Sequence, residues 1–355
     1  MKKYSVCFFI LLFALFSFAT VLPSTSEATK KKVRLKKKQP RRAAATRAAY
    51  SPRSRVKSKD PYLGAIVIDA ATGETLFKDN PDVKGYPASM VKMMNLLVVL
   101  KTAESGVISF EDKITVSAEV SRIGGSQVYL KENEVFSVDD LLYALIVQSA
   151  NDAALALAIH TAGTKDNFIR LMNRQAEELG MKDTVFHSVH GLPPGRGQRA
   201  DTSTPRDLTK LARALIKRPD ALKYTSTVVR PFRTDAPEPF IMRNHNHLVG
   251  DFKGCDGLKT GFFYLAGFSI TATAANSKGR AIAVVLGSSY SKVRDEKARE
   301  LLSMGLMDIA LKPPPPPEEV TASMVSLDGP FTSGNTYISM FAMVFGIYAV
   351  RKFKT

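Results

Sequence analysis

The sequence has almost no cysteine: among 355 residues there are only Cys7 and Cys255. Cys7 lies in an apolar run from Tyr4 to Leu22, behind Lys2 and Lys3 and ahead of the small-residue site Ser26-Glu27-Ala28. That is the layout of a secretory signal. Residues 1–28 are expected to be cleaved off, or else to stay as an N-terminal anchor, and the rest to be exported. Loss of Cys7 leaves Cys255 alone, which excludes an internal disulfide. Acidic residues are missing from 30–59, which holds fourteen Lys and Arg and almost no large apolar side chain. Such a stretch cannot bury enough surface to fold, so residues 29–59 are expected to form a disordered basic linker. It carries most of the net charge of +17, since residues 60–350 hold thirty-one basic and thirty-two acidic side chains. A near-neutral body excludes nucleic acid as the explanation of that charge. Outside the membrane, a basic arm is a solvated spacer or meets anionic wall polymer or lipid. His187, His190, His245 and His247 have neither helical His-x-x-x-His spacing nor a Cys or acidic cluster beside them, so no metal is expected. No internal repeat is present.

What the sequence does have is a stretch from Pro87 to Leu100 that is apolar on every side from Met90 onward. A helix with no face reserved for water belongs inside a protein. Lys92 falls within it, where a bare ammonium is costly. Ser89 precedes it by three residues, on the same helical face and at the helix start. A capping serine explains Ser89 alone. A serine with a buried amine one turn on reads as a nucleophile with its base.

Around this helix, Leu63–Asp69 reads as a buried strand and Glu74–Lys78 as its hairpin partner. Ser137 with Asp140 marks a helix start, and the helix runs to Gln148. Ser149-Ala150-Asn151 interrupts, and Asp152–Ala162, Asn167–Leu179 and Asp207–Ile216 follow as helices. Residues 184–204 and 230–250 read as loops. Ala266–Ala275 and Arg280–Gly287 are β-rich, before a helix from Lys292 to Leu311. Strands at both ends with helices between predict an α/β layered fold over 60–311 whose terminal strands share a sheet.

Three patterns occur in order: Ser89-x-x-Lys92, Ser149-x-Asn151 and Lys259-Thr260-Gly261. With PASMVKMMN (87–95), QSANDAALALA (148–158), VHGL (189–192) and DGLKTGFFYLAGF (256–268), the chain resembles the D-alanyl-D-alanine carboxypeptidases, the low-molecular-mass penicillin-binding proteins. The resemblance covers about 60–311. It implies a β-lactamase/DD-peptidase-like fold, an antiparallel sheet flanked by helices with a helical lobe. It also implies peptidoglycan stem peptides as substrates, β-lactams as inhibitors and no cofactor. By that resemblance Ser89 forms an acyl-enzyme, Lys92 takes its proton, Ser149 passes a proton to the leaving amine and Asn151 holds the substrate backbone. The N–H groups of Ser89 and Phe262 would form the oxyanion hole. Gly261 would let substrate lie against the strand. Lys259 and Thr260 are the first candidates to hold the product carboxylate. Arg294 is the second, against its reading as an exposed arginine paired with Asp295 or Glu296. Ala150 and Phe262-Phe263-Tyr264 depart from the usual family pattern.

A class A β-lactamase needs a glutamate after the second motif, and Thr184–Thr204 contains none. An endopeptidase runs the same chemistry on cross-links, and an inactive wall-binding scaffold would have lost the nucleophile or base. Beyond Leu311, Pro313–Pro317 begin a linker (312–336) too short for a further domain. Tyr337–Val350 carries no charge and is short against the ~20 residues of a bilayer span, but can be extended back to Phe331. Arg351, Lys352 and Lys354 then mark the cytoplasmic side of a single-pass anchor, with the catalytic domain outside.

Overall fold

The structure, a computed structural model, describes residues 61–312. The expected signal, basic linker and C-terminal anchor lie outside the described residues. The frame is a five-stranded sheet in the order β2-β1-β9-β8-β7, antiparallel at every pairing. Its strands are β1 (Gly64–Asp69), β2 (Thr75–Asp79), β7 (Cys255–Phe263), β8 (Gly267–Asn276) and β9 (Gly279–Ser288). The first strand of the domain thus pairs with the last, Val67 opposite Ala283, as the apolar runs at the two ends predict.

Alternation within these strands divides two cores. Ala65 and Val67 of β1 and Ala281, Ala283 and Val285 of β9 face α9 (Ser291–Leu311). Ile66, Ile68, Ile282, Val284 and Leu286 face the helical body. Both faces are covered, so the strands read as unbroken apolar runs. The α9 face is rich in alanine, which lets the helix come close: a Cβ on Gly305 would stand 2.8 Å from Val67.

At the centre of the other core is α1 (Val91–Glu104), buried without a break from Val91 to Leu100. It does not begin at Ser89. A short 3₁₀ turn, Ala88–Met90, precedes it and carries Ser89, with Pro87 rather than a serine at its cap. Around α1 lie α3 (Val138–Ile146), α4 (Asn151–Ala162), α5 (Lys165–Glu178), α6 (Pro205–Ile216) and α7 (Pro219–Thr225). The Ser137 side chain accepts from the Asp140 N–H and starts α3 as expected. A small lobe adds β3 (Lys113–Thr115), α2 (Ala118–Ser121) and β4 (Val135–Ser137). The stretch expected to be a loop at 230–250 instead holds a hairpin, β5 (Val229–Phe232) with β6 (Phe240–Arg243), and the short α8 (Leu248–Asp251). Prolines and charges obscured its alternation.

Candidate active site

The three motifs converge from separate elements. The Ser89 turn leads into α1, the Ser149 break separates α3 from α4, and Lys259-Thr260-Gly261 lies within the edge strand β7. Two non-glycine residues adopt left-handed backbone here, Ala88 at φ 48° and Ser149 at φ 58°. Such conformations cost about 1–3 kcal/mol and persist only where the surroundings hold them. Asn151 is the first residue of α4, and both Ser149 and Asn151 are buried.

Lys92 is fully buried and uses all three of its hydrogen-bonding positions. Its Nζ lies 3.1 Å from Ser89 Oγ, 2.7 Å from Asn151 Oδ1 and 2.8 Å from the His190 carbonyl oxygen. The Asn151 amide has its orientation fixed from behind, because Nδ2 donates to the Gly124 carbonyl at 2.7 Å. Burial, and then the Lys259 cation, hold Lys92 well below the ordinary lysine value. Lys259 is also buried and is pushed down to about 7, by burial first and Arg294 second.

Arg294 is only 5% exposed. Its guanidinium meets Asp295 at 2.7 Å, so the pairing foreseen for a surface arginine is present while the exposure is not. It is also an electrostatic neighbour of Lys259. Thr260 is buried next to Lys259, whose Nζ donates to the Thr260 carbonyl at 3.1 Å. Phe262 is half-exposed and stacks on Phe268, ring centroids 4.1 Å apart.

The absent side chain of Gly261 also has a reason within the fold. A Cβ there would meet the Pro87 carbonyl oxygen at 2.4 Å and the Ser89 nitrogen at 3.2 Å. The glycine lets β7 lie against the turn that carries Ser89.

Several participants escaped motif reading. Gly191 (φ 80°) brings the VHGL turn so near that a Cβ would fall 1.9 Å from the Ala88 carbonyl oxygen. The His190 ring is kept neutral, its pKa pushed down to about 3 by burial and then by Lys92. Its Nδ1 accepts from the Leu192 N–H at 3.1 Å, which places the ring hydrogen on Nε2. His245 is likewise lowered, to about 4, by burial and then by Lys259. Two carboxylates act on Lys92 from a distance, Asp152 and Asp201. Both are buried and engaged: Asp152 accepts from the N–H groups of Val128 and Leu130, Asp201 from those of His187 and Ser188.

A buried serine–lysine pair, an asparagine aimed at the same amine and a lysine on an edge strand form one constellation. A family model described as D-alanyl-D-alanine carboxypeptidase, peptidase family S11, matches residues 53–290. The chain belongs to this family.

Among D-alanyl-D-alanine carboxypeptidases, DacD of Escherichia coli is 37% identical over 249 residues, 68% of this chain and 62% of that protein. DacF of Bacillus subtilis is 32% identical over 249 residues, 70% of this chain and 63% of that protein. The chain therefore spans a little less than two thirds of the length of these relatives. The crystal structure of penicillin-binding protein 6B from Escherichia coli matches with a TM-score of 0.64 at 34% identity, over 73% of this chain and 80% of that one. The ampicillin-bound form of penicillin-binding protein D2 from Listeria monocytogenes matches with a TM-score of 0.61 at 30% identity, over 68% and 96%. This is the α/β DD-peptidase fold, with the antiparallel sheet and flanking helices that the sequence implies.

Proposed function

We propose that this protein is a serine D-Ala-D-Ala carboxypeptidase that removes the terminal D-alanine of peptidoglycan stem peptides and is acylated by penicillin. The observation that carries this reading is the set of contacts around Lys92. A neutral amine has two N–H donors and one lone pair. Two carbonyl oxygens, at 2.7 Å on Asn151 and 2.8 Å on His190, take the two donors. The lone pair is left to face Ser89 Oγ, at the longer 3.1 Å. The amine is thus oriented as a base, and burial with the Lys259 cation shifts it toward the unprotonated form a base needs.

In the proposed reaction Ser89 Oγ attacks the penultimate D-Ala carbonyl carbon as Lys92 takes the hydroxyl proton. The N–H groups of Ser89 and Phe262 receive the oxyanion, each such donor being worth ~10²–10³ in rate. Collapse breaks the C–N bond, and the leaving amine gains its proton through Ser149. Lys259, Thr260 and Arg294 hold the terminal carboxylate, while Asn151 also steadies the substrate backbone. Water then attacks the acyl-enzyme with Lys92 again as base. The two acidic groups acting on Lys92, Asp152 and Asp201, are taken up by backbone N–H groups. Neither is available to activate water quickly, which favours slow release of penicillin over β-lactamase turnover.

The proposal includes export by residues 1–28 and anchoring by 337–350, read from sequence alone. Among the described residues no helix is long and apolar enough to cross a membrane. Fluorescent penicillin given to cells, followed by fractionation and mapping of the adduct, tests both parts. The expected result is a stable adduct on Ser89 that sediments with membranes and becomes soluble when 313–355 are deleted. An adduct on another residue, or none, refutes the mechanism. A truncated chain that still sediments refutes the anchor. Incubation with a pentapeptide and with a cross-linked dimer separates carboxypeptidase from endopeptidase.

A further inference from the structure

We propose that Asp201 is a positioning residue for the Lys92 base: its carboxylate shapes the 187–191 turn that presents the His190 carbonyl to Lys92 Nζ. The inference rests on the reading of Lys92 as the base. Of the two carbonyls that orient the amine, Asn151 Oδ1 belongs to a helix start and is fixed by Gly124. The other, His190 O, belongs to a loop and needs a support of its own.

Asp201 supplies that support from inside the protein. It is 6% exposed. Its Oδ1 accepts from the His187 N–H at 2.6 Å and the Ser188 N–H at 2.8 Å, and its Oδ2 from the Ser188 hydroxyl at 2.6 Å. The Ser188 oxygen in turn accepts from the Gly191 N–H at 2.8 Å. Three hydrogen bonds therefore tie the carboxylate to residues before His190, and a fourth extends the hold through the Ser188 hydroxyl to Gly191 after it. The aspartate is itself anchored, because Thr202 pairs with Val185 through both N–H···O bonds at 3.0 Å, and Ser203 pairs with Gly85. On its far side the turn has one further tie, where Asn95 Nδ2 donates to the Val189 carbonyl at 3.0 Å.

Without the carboxylate, three donors inside the loop lose their acceptor, and the His190 oxygen is no longer held against Lys92. An amine with only Asn151 to guide it can rotate its lone pair away from Ser89. Misplacement of a reacting group by about 1 Å can cost ~10²-fold in rate. The loss should fall on acylation, not on penicillin binding, since none of these residues lies in the Lys259 subsite.

The test measures acylation of the full chain by penicillin, separating the non-covalent Kd from the acylation rate constant. Asp201→Ala should lower the rate constant ~10-fold or more at unchanged Kd. Asp201→Asn keeps an oxygen for the two N–H groups and should recover to within about threefold of wild type. Ser188→Ala removes the hydroxyl's bond to Asp201 and the link to Gly191 while leaving the two backbone N–H bonds, and should fall between them. If Asp201→Ala does not fold, Asp201→Asn and Ser188→Ala still decide. Wild-type rates in Asp201→Ala or Ser188→Ala, a loss confined to Kd, or equal losses in Asp201→Asn and Asp201→Ala would overturn the proposal. Lys92→Arg run alongside separates the two ideas: normal acylation in that variant refutes Lys92 as the base, and this inference with it.

Discussion

The Lys92 amine sits among opposing charges, with Lys259 favouring the neutral form and Asp152 and Asp201 favouring the ammonium. Burial is the largest influence and acts with Lys259. Two substitutions at Lys259 separate its charge from its shape. Lys259→Gln removes the neighbouring cation, so Lys92 keeps its proton to higher pH. The acid limb of the acylation-rate profile should therefore move upward. Lys259→Arg keeps a cation there, and its limb should stay near that of wild type with measurable acylation. Rates measured between pH 5 and pH 9 decide the matter, and an unmoved limb in Lys259→Gln would show that burial alone sets the amine. Lys92→Arg cannot give up its proton and should lose ~10²–10⁴-fold at every pH, the usual worth of a general base.

At the scale of elements, the site is made by close approach of backbone to backbone. The Ser89 turn is held between β7, through Gly261, and the VHGL turn, through Gly191. Neither glycine can accept a methyl group without moving main chain. Within one loop, Gly191 and Gly197 give a controlled comparison, since both have positive φ, 80° and 78°. A Cβ on Gly197 meets nothing within 4 Å, whereas one on Gly191 meets Ala88. Gly197→Ala should therefore cost only backbone strain, about 1 kcal/mol, and leave acylation intact. Gly191→Ala should lower Tm by several degrees and acylation ~10²-fold. Similar behaviour of the two, measured by thermal unfolding and penicillin labelling, would mean that the apposition has no role in orienting Ser89.

Across the whole molecule, the buried amines work against stability. An unfolded chain protonates Lys259 below about pH 10.4, whereas the folded chain does so only near 7. Between those values the unfolded state binds more protons, so stability falls as pH drops from about 10 to 7 and the loss levels off below. Lys259→Met lacks this contribution. It should unfold at higher temperature than wild type at pH 7, by the equivalent of a few kcal/mol, with the gap shrinking toward pH 10. A gap that is the same at pH 7 and pH 10 would mean that the amine is charged in the folded protein. The same variant should lose substrate, so stability and activity move in opposite directions.

Much of this molecule is legible in its sequence because the signals are local. The unbroken apolar run after Ser89 dictates a buried helix, and three-residue spacing puts Lys92 on the Ser89 face. The Ser149-x-Asn151 break and the paired apolar strands at the two ends of the domain follow from periodicity in the same way. Arg294 was legible as a candidate, but its burial depended on how α9 meets the sheet. VHGL was legible as a pattern, but the contacts that its His190 carbonyl and Gly191 make, and the Asp201 network behind them, were not. A carbonyl oxygen belongs to every residue, and its partner Lys92 lies 98 positions away. What the sequence by itself determined is which residue types stand at helical spacing and which segments must be buried. Only the tertiary structure decided which backbone oxygens face the amine, because that depends on the mutual placement of segments about a hundred positions apart.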